Sequence, residues 1–319
     1  MNLSSDKHDR QAEMLANKVK KKYEHLRKRF AKQHIEVFRL YDWEIPEIRA
    51  VVDWYAGHVV VGEYTRKQST PEWLPRMGEA VRDALDVPPE NVHLKRRYYG
   101  NAEDKRYERL DTTNQTISVC ERDLKFWVNP WDFVDTGLFG DHRNTRQMVR
   151  EMAKDKSFLN LFCYTGAFTC YAAFGGARST VSVDRSKTAI DWARRNLELN
   201  NLPVASNRLI RAHVFDFLDQ SRDKAQRFDL AVVDPPSFYY RKSNTDRFDI
   251  VRDHPVLLHS VAQLMQPGGV ILFSTNHQDF RPAMDGLGFN HIDEVSAATI
   301  PEDYQHKRKT IHRCWRIVV

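Results

Sequence analysis

From residue 156 onward, short apolar runs alternate with amphipathic helical patterns, and this alternation constrains the fold of the 319-residue chain more than any other feature. The apolar runs are "SFLNLFCY", "STVSVD", "RLIRAHV", "FDLAVVD" and "VILFSTN". The helical patterns between them are "TCYAAFGGA", "KTAIDWARRNLELNN", "FDFLDQSRDK" and "HPVLLHSVAQLMQPGG". Such alternation indicates βαβ units, in which helices cover both faces of a parallel sheet. Ligands of these sheets bind at the carboxyl ends of the strands.

The residues before this region have a different pattern. Residues 35–64 contain short aromatic and β-branched runs separated by turn residues, which is typical of strands. A helix is predicted over 72–85 and a strand over 92–96, followed by strands at "TISVCE" and "KFWVN". We predict three segments: a basic amphipathic helix at 1–34, a small α+β domain and candidate RNA-binding domain at 35–130, and an α/β domain at 131–319.

Composition excludes several classes of protein. No apolar run approaches the roughly 20 residues that a membrane helix needs, and the first residues contain no signal-peptide core. The four cysteines lack C-x-x-C spacing, which indicates reduced thiols in a cytoplasmic protein. The histidines include no H-E-x-x-H, and His306 and His312 lie among cations, so we predict no metal site. The sequence gives no signal for an oligomeric state.

Positive charge is concentrated in the first helix, and the chain as a whole carries +6. Apolar residues recur there at helical spacing, whereas most of the other positions are basic. One interpretation is a solvated helix face. The other is an arm that binds RNA phosphates through Lys18, Lys21, Lys22 and Arg27.

Two other segments interleave aromatic residues with cations, which suits stacking on unpaired bases and contact with phosphates. The first, "RRYYGNAEDKRYERL", offers Tyr99 and Arg106, with a mobile polar hairpin loop as the alternative. The second, "FYYRKSNTDRFDIVRDH", offers Arg241, Lys242 and Arg252 as the lip that receives a flipped nucleotide. Its alternative is a solvated loop in which Arg252 and the next aspartate form a local ion pair.

The ends of the first two strands of the α/β region indicate a ligand with a ribose but no phosphates. The first strand ends in "FCYTGAF", and the candidate residues of this turn are Phe162, Tyr164, Thr165 and Gly166. A dinucleotide fold needs several glycines for the pyrophosphate, whereas a single glycine still lets another ligand lie close to the main chain. Asp184 and Arg185 end the second strand, where an acidic residue binds ribose in such sheets. Together these signals indicate S-adenosylmethionine, although Asp184 alone could cap the next helix.

A rigid corner follows the fourth strand. It reads "DPPSF" and supplies the candidate catalytic residues Asp234, Pro235, Pro236, Ser237 and Phe238. Prolines cannot continue a strand ladder, and the first one holds Asp234 in an extended conformation. We expect Asp234 to contact both the reacting base and the cofactor, with a capping carboxylate as the alternative.

On these motifs the chain resembles the class I S-adenosylmethionine-dependent methyltransferases of bacterial ribosomal RNA. Within them it is most similar to the enzymes for guanine N7 of large-subunit 23S RNA, which form the C-terminal half of a fused enzyme. The resemblance covers nearly the whole chain, through "MLANKVKKKYEHL", "FRLYDWEIPE", "VDTGLFGDHR", "FLNLFCYTGAF", "GGARSTVSVD", "FDLAVVDPPSF", "RDH" and "IHRCW". The "TGLFGDHR" and "YTGAF" pieces are specific to the rRNA subgroup, whereas Asp-Pro-Pro occurs in many base methyltransferases.

The resemblance implies a seven-stranded Rossmann-like sheet with an antiparallel final strand, here "IHRCWRIVV", and it implies rRNA as the partner. It also implies cofactor contacts from Asp141, Arg143, the first turn, Asp184 and the end of the third strand. Relatives usually have an aspartate where this chain has His213. We expect His213 or Asp216 to meet the adenine amino group and the N–H of Val214 to serve the adenine ring. We expect RNA targeting from the basic helix, from the first of the two aromatic-basic segments, or from a partner.

Three base chemistries can be compared. Methylation of cytosine C5 needs a cysteine thiolate, which in the similar C5 enzymes follows the fifth strand, where this chain reads "FSTNH". Methylation of an exocyclic amine usually uses an aromatic residue directly after Pro-Pro, where this chain has Ser237. Guanine N7 is already nucleophilic, needs mainly orientation, and becomes positively charged, so a carboxylate such as Asp234 would stabilise the product.

We therefore expect methylation of guanine N7. The alternatives are cytosine C5, guanine N2, a small-molecule or protein methyl acceptor, and a non-catalytic RNA-binding protein.

Overall fold

A computed structural model describes residues 3–66, 69–98, 109–240, 247–306 and 309–319. The chain forms two compact units, Met1–Gly140 and Asp141–Val319. The first unit therefore includes the basic helix and the small domain, together with residues 131–140, which the sequence analysis placed in the second domain. These residues pack on the first unit: Lys95 Nζ donates to the Trp131 carbonyl at 2.6 Å, and Thr136 Oγ1 donates to the Tyr55 hydroxyl at 2.9 Å.

The first unit is a four-stranded sheet with two helices, followed by a hairpin. Its elements are α1 (Leu3–Lys32), β1 (Val37–Asp42), β2 (Ala50–Tyr55), β3 (His58–Thr65), α2 (Trp73–Leu85), β4 (Val92–Tyr98), β5 (Ile117–Glu121) and β6 (Leu124–Val128), with a 3-10 turn at Pro89–Asn91. The sheet order is β1-β2-β3-β4. The first three strands are antiparallel, and β4 runs parallel to β3 because α2 makes the crossover between them.

One apolar core holds the first unit together. The apolar stripe of α1 supplies Leu15, Val19, Leu26 and Phe30, all of which are buried. They join the buried residues of α2 and of β1, β2 and β3 in a single cluster. The predicted amphipathic helix is therefore docked through its apolar stripe, and its basic residues occupy the remaining faces.

The second unit is a doubly wound α/β fold. Its strands are β7 (Ser157–Leu161), β8 (Ser179–Asp184), β9 (Asn207–Arg211), β10 (Phe228–Val233), β11 (Phe238–Tyr240), β12 (Arg247–Asp249), β13 (Met265–Thr275), β14 (His291–Glu294) and β15 (Arg313–Val318). Its helices are α3 (Arg143–Met152), α4 (Ala167–Phe174), α5 (Lys187–Leu199), α6 (Val214–Ser221), α7 (Ile250–Ala262) and α8 (Ser296–Thr299), with 3-10 turns at Gly140–His142 and Glu302–Tyr304.

Seven strands of this unit form one sheet in the order β14-β15-β13-β10-β7-β8-β9. The pairs from β13 through β10, β7 and β8 to β9 are parallel, and β15 is antiparallel to both of its neighbours. The predicted Rossmann-like sheet with an antiparallel final strand is confirmed.

Helices cover both faces of this sheet. Phe158 of β7 belongs to one apolar cluster, whereas Leu159 and Leu161 belong to another. The same alternation recurs in β10, where Leu230 and Val232 lie on the face opposite Ala231. Both faces exclude water, which explains why the strands read as continuous apolar runs.

Because these strands are parallel, their carboxyl ends meet at one edge. The candidate residues after β7, β8, β9, β10 and β13 therefore converge there. Helix α3, the β11–β12 hairpin and β14 were not predicted from the sequence. No helix in the described ranges is long and apolar enough to span a bilayer.

Candidate active site

The turn after β7 has an unusual backbone. Phe162, Tyr164 and Gly166 have φ angles of 57°, 47° and 73°, a left-handed region that costs an L-residue about 1–2 kcal/mol. A Cβ added to Gly166 would lie 2.8 Å from the Cβ and 3.2 Å from the Cα of Ala193 in α5. Gly166 therefore serves the close packing of this turn on α5, and the close approach of a ligand to its main chain stays a prediction.

Asp184 fixes this turn from the end of β8. One carboxylate oxygen accepts the N–H of Tyr164 at 3.0 Å, and the other accepts the N–H of Ser186 at 2.8 Å. Burial raises the pKa of Asp184, and the N–H groups of Ser186 and Tyr164 oppose that rise. Since each carboxylate oxygen can accept a further hydrogen bond, the buried group suits a ligand with two vicinal hydroxyls.

Asp184 is not the N-cap residue of the next helix. The N-cap of α5 is Ser186, whose Oγ accepts the N–H of Ala189 at 3.2 Å. Thr165 is buried, and its carbonyl accepts a hydrogen bond from Asn196 Nδ2 at 2.8 Å. Arg185 is exposed at the same edge of the sheet.

The end of the third strand leads directly into α6. His213 is the N-cap residue, its side chain makes no capping bond, and its ring stacks 6.1 Å from that of Phe215. Val214 is the buried first residue of the helix, and Asp216 lies in the first turn. The backbone N–H groups of a first helical turn have no partner within the helix, so this position suits a hydrogen-bond acceptor such as an adenine ring nitrogen.

The Asp234 carboxylate is held by the neighbouring strand. Ser274 Oγ at the end of β13 donates to Asp234 Oδ1 at 2.6 Å. The other oxygen lies 3.6 Å from His142 Nε2, and the side chain is 31% exposed. A capping carboxylate would accept backbone N–H groups of its own loop. Asp234 is instead anchored on one side and accessible on the other.

The rest of the corner is tied to β13 and α7. Ser237 is buried: its Oγ donates to Asn276 Oδ1 at 2.8 Å, and its carbonyl accepts the N–H of Ile250 at 2.9 Å. Phe238 begins β11, and its ring packs edge-on against that of His277, with the ring centroids 5.8 Å apart. Pro235 is buried and Pro236 half-buried. The two prolines and Ser237 therefore position Asp234 and Phe238 at the rim.

Two histidines extend the site in a way that the sequence analysis missed. His142 and His312 stack with ring centroids 4.2 Å apart and planes 8° apart. His312 bridges Asp141 Oδ2 and Thr299 Oγ1, each at 3.0 Å from one ring nitrogen. Burial, and then the neighbouring His312, lower the pKa of His142, so its imidazole is neutral near pH 7.

The donor atoms of Asp141, His142 and His312 lie within 4.8 Å of one another, which is close enough to hold a metal ion. A metal would have to displace one of the two hydrogen bonds of His312. The hydrogen-bonded cluster needs no metal, and we propose none.

Arg143, the other predicted contact before α3, is buried and forms an ion pair with the buried Asp303. This pair joins the start of α3 to the 3-10 turn at Glu302–Tyr304.

The cysteines are free thiols that are poorly suited to be nucleophiles. Burial raises the pKa of Cys163 well above its usual value and that of Cys170 to about 12. Cys314 pairs in the sheet with Ser274, the residue that anchors Asp234. Burial and then the Asp234 charge raise its pKa, so little thiolate forms there near neutral pH.

The structure describes some of the predicted RNA-binding residues. Lys18, Lys21 and Arg27 are exposed on α1, and Lys22 is half-buried. Arg252 lies in the first turn of α7, where its guanidinium donates to both Asp253 oxygens at 2.7 and 2.8 Å, so the local ion pair is present. Tyr99, Arg106, Arg241 and Lys242 lie outside the described residues.

The arrangement matches a known family. A family model described as S-adenosylmethionine-dependent methyltransferase matches residues 44–294. The chain belongs to this family. Its cofactor is S-adenosylmethionine, which the buried Asp184 and the left-handed turn after β7 are suited to hold.

Similar proteins agree with this assignment. The chain is 40% identical over 309 residues to the ribosomal RNA large subunit methyltransferase K of Neisseria meningitidis serogroup B, covering 95% of this chain and 86% of that protein. It is 39% identical to the ribosomal RNA large subunit methyltransferase K/L of Cellvibrio japonicus, covering 96% of this chain but 42% of that longer protein. A methyltransferase crystallised with SAH shares the fold, with a TM-score of 0.76 and 21% identity over 97% of this chain and 82% of that one.

Proposed function

We propose that this protein transfers the methyl group of S-adenosylmethionine to N7 of a guanine in large-subunit ribosomal RNA. The RNA substrate is supported by the names of the two relatives, which both specify the ribosomal RNA large subunit. The basic face of α1 is consistent with such a partner, because exposed lysines and arginines bind phosphates.

The residues at the carboxyl edge divide into groups for the parts of the cofactor. Asp184 would accept the ribose hydroxyls, beside the 162–166 turn and Arg185. The Val214 N–H would serve the adenine ring, with His213 or Asp216 at its amino group. Asp141 and Arg143 would hold the methionine end. When bound, the cofactor supplies an activated methyl group, so the protein needs to orient the base rather than activate the donor.

We choose N7 over the other methyl acceptors because of the geometry of Asp234. Methylation there places positive charge on the purine, and a fixed carboxylate beside a neutral imidazole stabilises that charge without any proton transfer. Anchoring by Ser274 prevents the carboxylate from reorganising as the charge develops. The rim residue Phe238 would frame the base after it leaves its stack.

The other two base chemistries fit this edge less well. Cytosine C5 needs a thiolate, whereas burial raises the pKa of Cys163, Cys170 and Cys314. Methylation of an exocyclic amine such as guanine N2 usually uses an aromatic ring directly after Pro-Pro. Here that residue is Ser237, which is buried and hydrogen-bonded to Asn276.

The reaction is tested by incubating the full chain with labelled S-adenosylmethionine and unmodified 23S rRNA, digesting the RNA, and identifying the labelled nucleoside by mass spectrometry. We expect 7-methylguanosine. Labelled 5-methylcytidine or N2-methylguanosine would contradict the base assignment. Failure to label RNA, with S-adenosylhomocysteine binding intact, would contradict the RNA substrate.

A further inference from the structure

The first unit contains a groove that the methyl-transfer chemistry does not use. It lies between the C-terminal half of α1 and the adjoining ends of β1 and β2, is open to solvent, and has a volume of about 530 Å³. That volume is within the range of small-ligand pockets, roughly 300–1,000 Å³. The lining residues that matter here are Tyr23, Arg27, Lys28, His34, Phe38 and Trp54.

Three aromatic rings form one side of the groove. Trp54 lies 4.7 Å from Tyr23 and 6.2 Å from Phe38, measured between ring centroids. Phe38 is buried and belongs to the core of the unit, whereas Tyr23 and Trp54 are half-buried. Aromatic rings that are only partly buried offer an apolar surface on which a planar ligand can stack.

Two cations of α1 lie beside these rings. Tyr23 and Arg27 are one helical turn apart on α1, and the Arg27 guanidinium lies 5.7 Å from the Tyr23 ring centroid. Arg27 and Lys28 are exposed and form no ion pair with any residue in the described ranges. Glu36 is the acidic residue of the lining, and its carboxylate accepts the N–H of Cys120 at 2.7 Å. The mouth of the groove is therefore positively charged.

We infer that this groove binds an unpaired nucleotide of RNA, with the base on Tyr23 and Trp54 and its phosphates on Arg27 and Lys28. The inference rests on the proposed RNA substrate. Stacking on aromatic rings tolerates any base, since each base has a π face, and phosphate contact by lysine or arginine is equally independent of sequence. The groove would thus hold a single-stranded segment of the substrate rather than read a base sequence.

The stacking contact is tested with the full chain and a short, unstructured, fluorescently labelled RNA, using anisotropy. A second RNA of the same length lacks the bases. Trp54→Ala should weaken binding of the first RNA by roughly 5-fold to 100-fold and leave binding of the abasic RNA unchanged. Trp54→Phe should restore most of the affinity because it keeps a ring. Equal affinities of the wild-type protein for the two RNAs would overturn the inference.

The phosphate contact is tested with two matched pairs of charge reversals on α1. Arg27→Glu with Lys28→Glu alters the groove, and Lys7→Glu with Arg10→Glu alters exposed positions at the other end of the helix. The groove pair should reduce the slope of log K against log salt by about 1.4, or about 0.7 per phosphate. The control pair should change it little. Equal reductions would mean that charge alone attracts RNA and that the groove is not a site.

Thermal unfolding and S-adenosylhomocysteine binding check that each variant is folded. If Trp54→Ala does not fold, the abasic comparison with the wild-type protein and the charge-reversal pairs still decide the inference. Methylation of rRNA is measured on the same preparations. If rRNA is methylated and the groove variants bind RNA normally, the groove is rejected and the proposed function is kept. If RNA binding depends on the groove but no methylation is found, the groove is kept and the proposed function is rejected.

Discussion

The carboxyl edge of the second unit and the groove of the first unit both present charged groups, but they hold them differently. At the carboxyl edge, the Asp184 and Asp234 carboxylates are each fixed by hydrogen bonds from neighbouring strands and turns. In the groove, Arg27 and Lys28 are exposed on the surface of α1. Fixed, partly buried charges suit chemistry that depends on orientation, whereas exposed charges suit a ligand that is attracted through its phosphates.

Asp234→Asn should have the largest effect. The amide keeps the size of the side chain but removes the charge that would stabilise a methylated purine, so we expect the rate of methyl transfer to fall about 100-fold or more. Binding of S-adenosylhomocysteine, measured by calorimetry, should change far less than the rate, although Asp234 is also expected to contact the cofactor. Asp219→Asn on α6 is the control because this carboxylate is 68% exposed. Near-normal turnover of Asp234→Asn would show that the corner does not act electrostatically.

Asp184→Asn should act on cofactor affinity instead. A hydrogen bond to a charged group contributes about 1.5–3 kcal/mol, and loss of the charge would also weaken the hydrogen bond that holds the Tyr164 N–H. We expect the dissociation constant for S-adenosylhomocysteine to rise about tenfold or more by calorimetry. Unchanged affinity would remove Asp184 from the cofactor site.

Gly166→Ala tests the packing role of the turn against a matched glycine. Gly166 and Gly268 have similar φ angles of +73° and +77°, but only Gly166 has a close neighbour, Ala193 Cβ at 2.8 Å, where a Cβ would point. Both alanine variants carry the left-handed penalty, so the difference between them reports the clash. We expect Gly166→Ala to lower the free energy of unfolding by about 1–3 kcal/mol more than Gly268→Ala in urea titrations. Equal losses would mean that Ala193 moves aside freely.

Stability at acid pH tests a buried histidine of the first unit. Burial, and then the neighbouring His58 and Lys95, lower the pKa of His93 from 6.5 to about 3. Between these values the unfolded chain binds a proton that the folded chain does not. Stability is therefore retained above pH 6.5 and is lost as the pH falls toward 3. The loss is about 1.4 kcal/mol per pH unit for one proton.

His93→Asn should reduce this slope in urea titrations at several pH values, since asparagine takes up no proton. Equal slopes for the variant and the wild-type protein would assign the acid sensitivity to other groups. His142 in the second unit has the same sign of shift. A double variant would therefore show whether the two units lose stability independently.

The parallel sheet could be predicted from the sequence because both faces of its strands are buried. Residues such as Leu159, Val232 and Phe273 are fully or almost fully covered, so most positions of these strands are apolar and the runs are visible by inspection. The antiparallel orientation of β15 was predicted from the family resemblance. Prediction of the first unit succeeded for a related reason, since its strands carry β-branched and aromatic residues between clear turns.

Helix α3 and the histidine cluster could not be predicted in the same way. The buried side of α3 consists of Arg143, Thr145, Arg146 and Val149, so its helical periodicity is hidden by polar residues that find partners only after folding. His312 and Asp141 are 171 residues apart in sequence, and no local pattern brings them together. The "GDH" in "TGLFGDHR" and the "IH" in "IHRCW" both lie in motifs that carry the family resemblance, but only the fold places them side by side.

The N7 assignment is tested most directly with a substrate that lacks that atom. The same large-subunit RNA fragment is transcribed with guanosine or with 7-deazaguanosine, in which a C–H group replaces N7, and methyl transfer from labelled S-adenosylmethionine is measured for both. Anisotropy measurements check that the protein binds both transcripts. The account predicts labelling of the guanosine transcript and none of the 7-deazaguanosine transcript. Equal labelling of the two would place the methyl group on another atom and contradict the role given to Asp234.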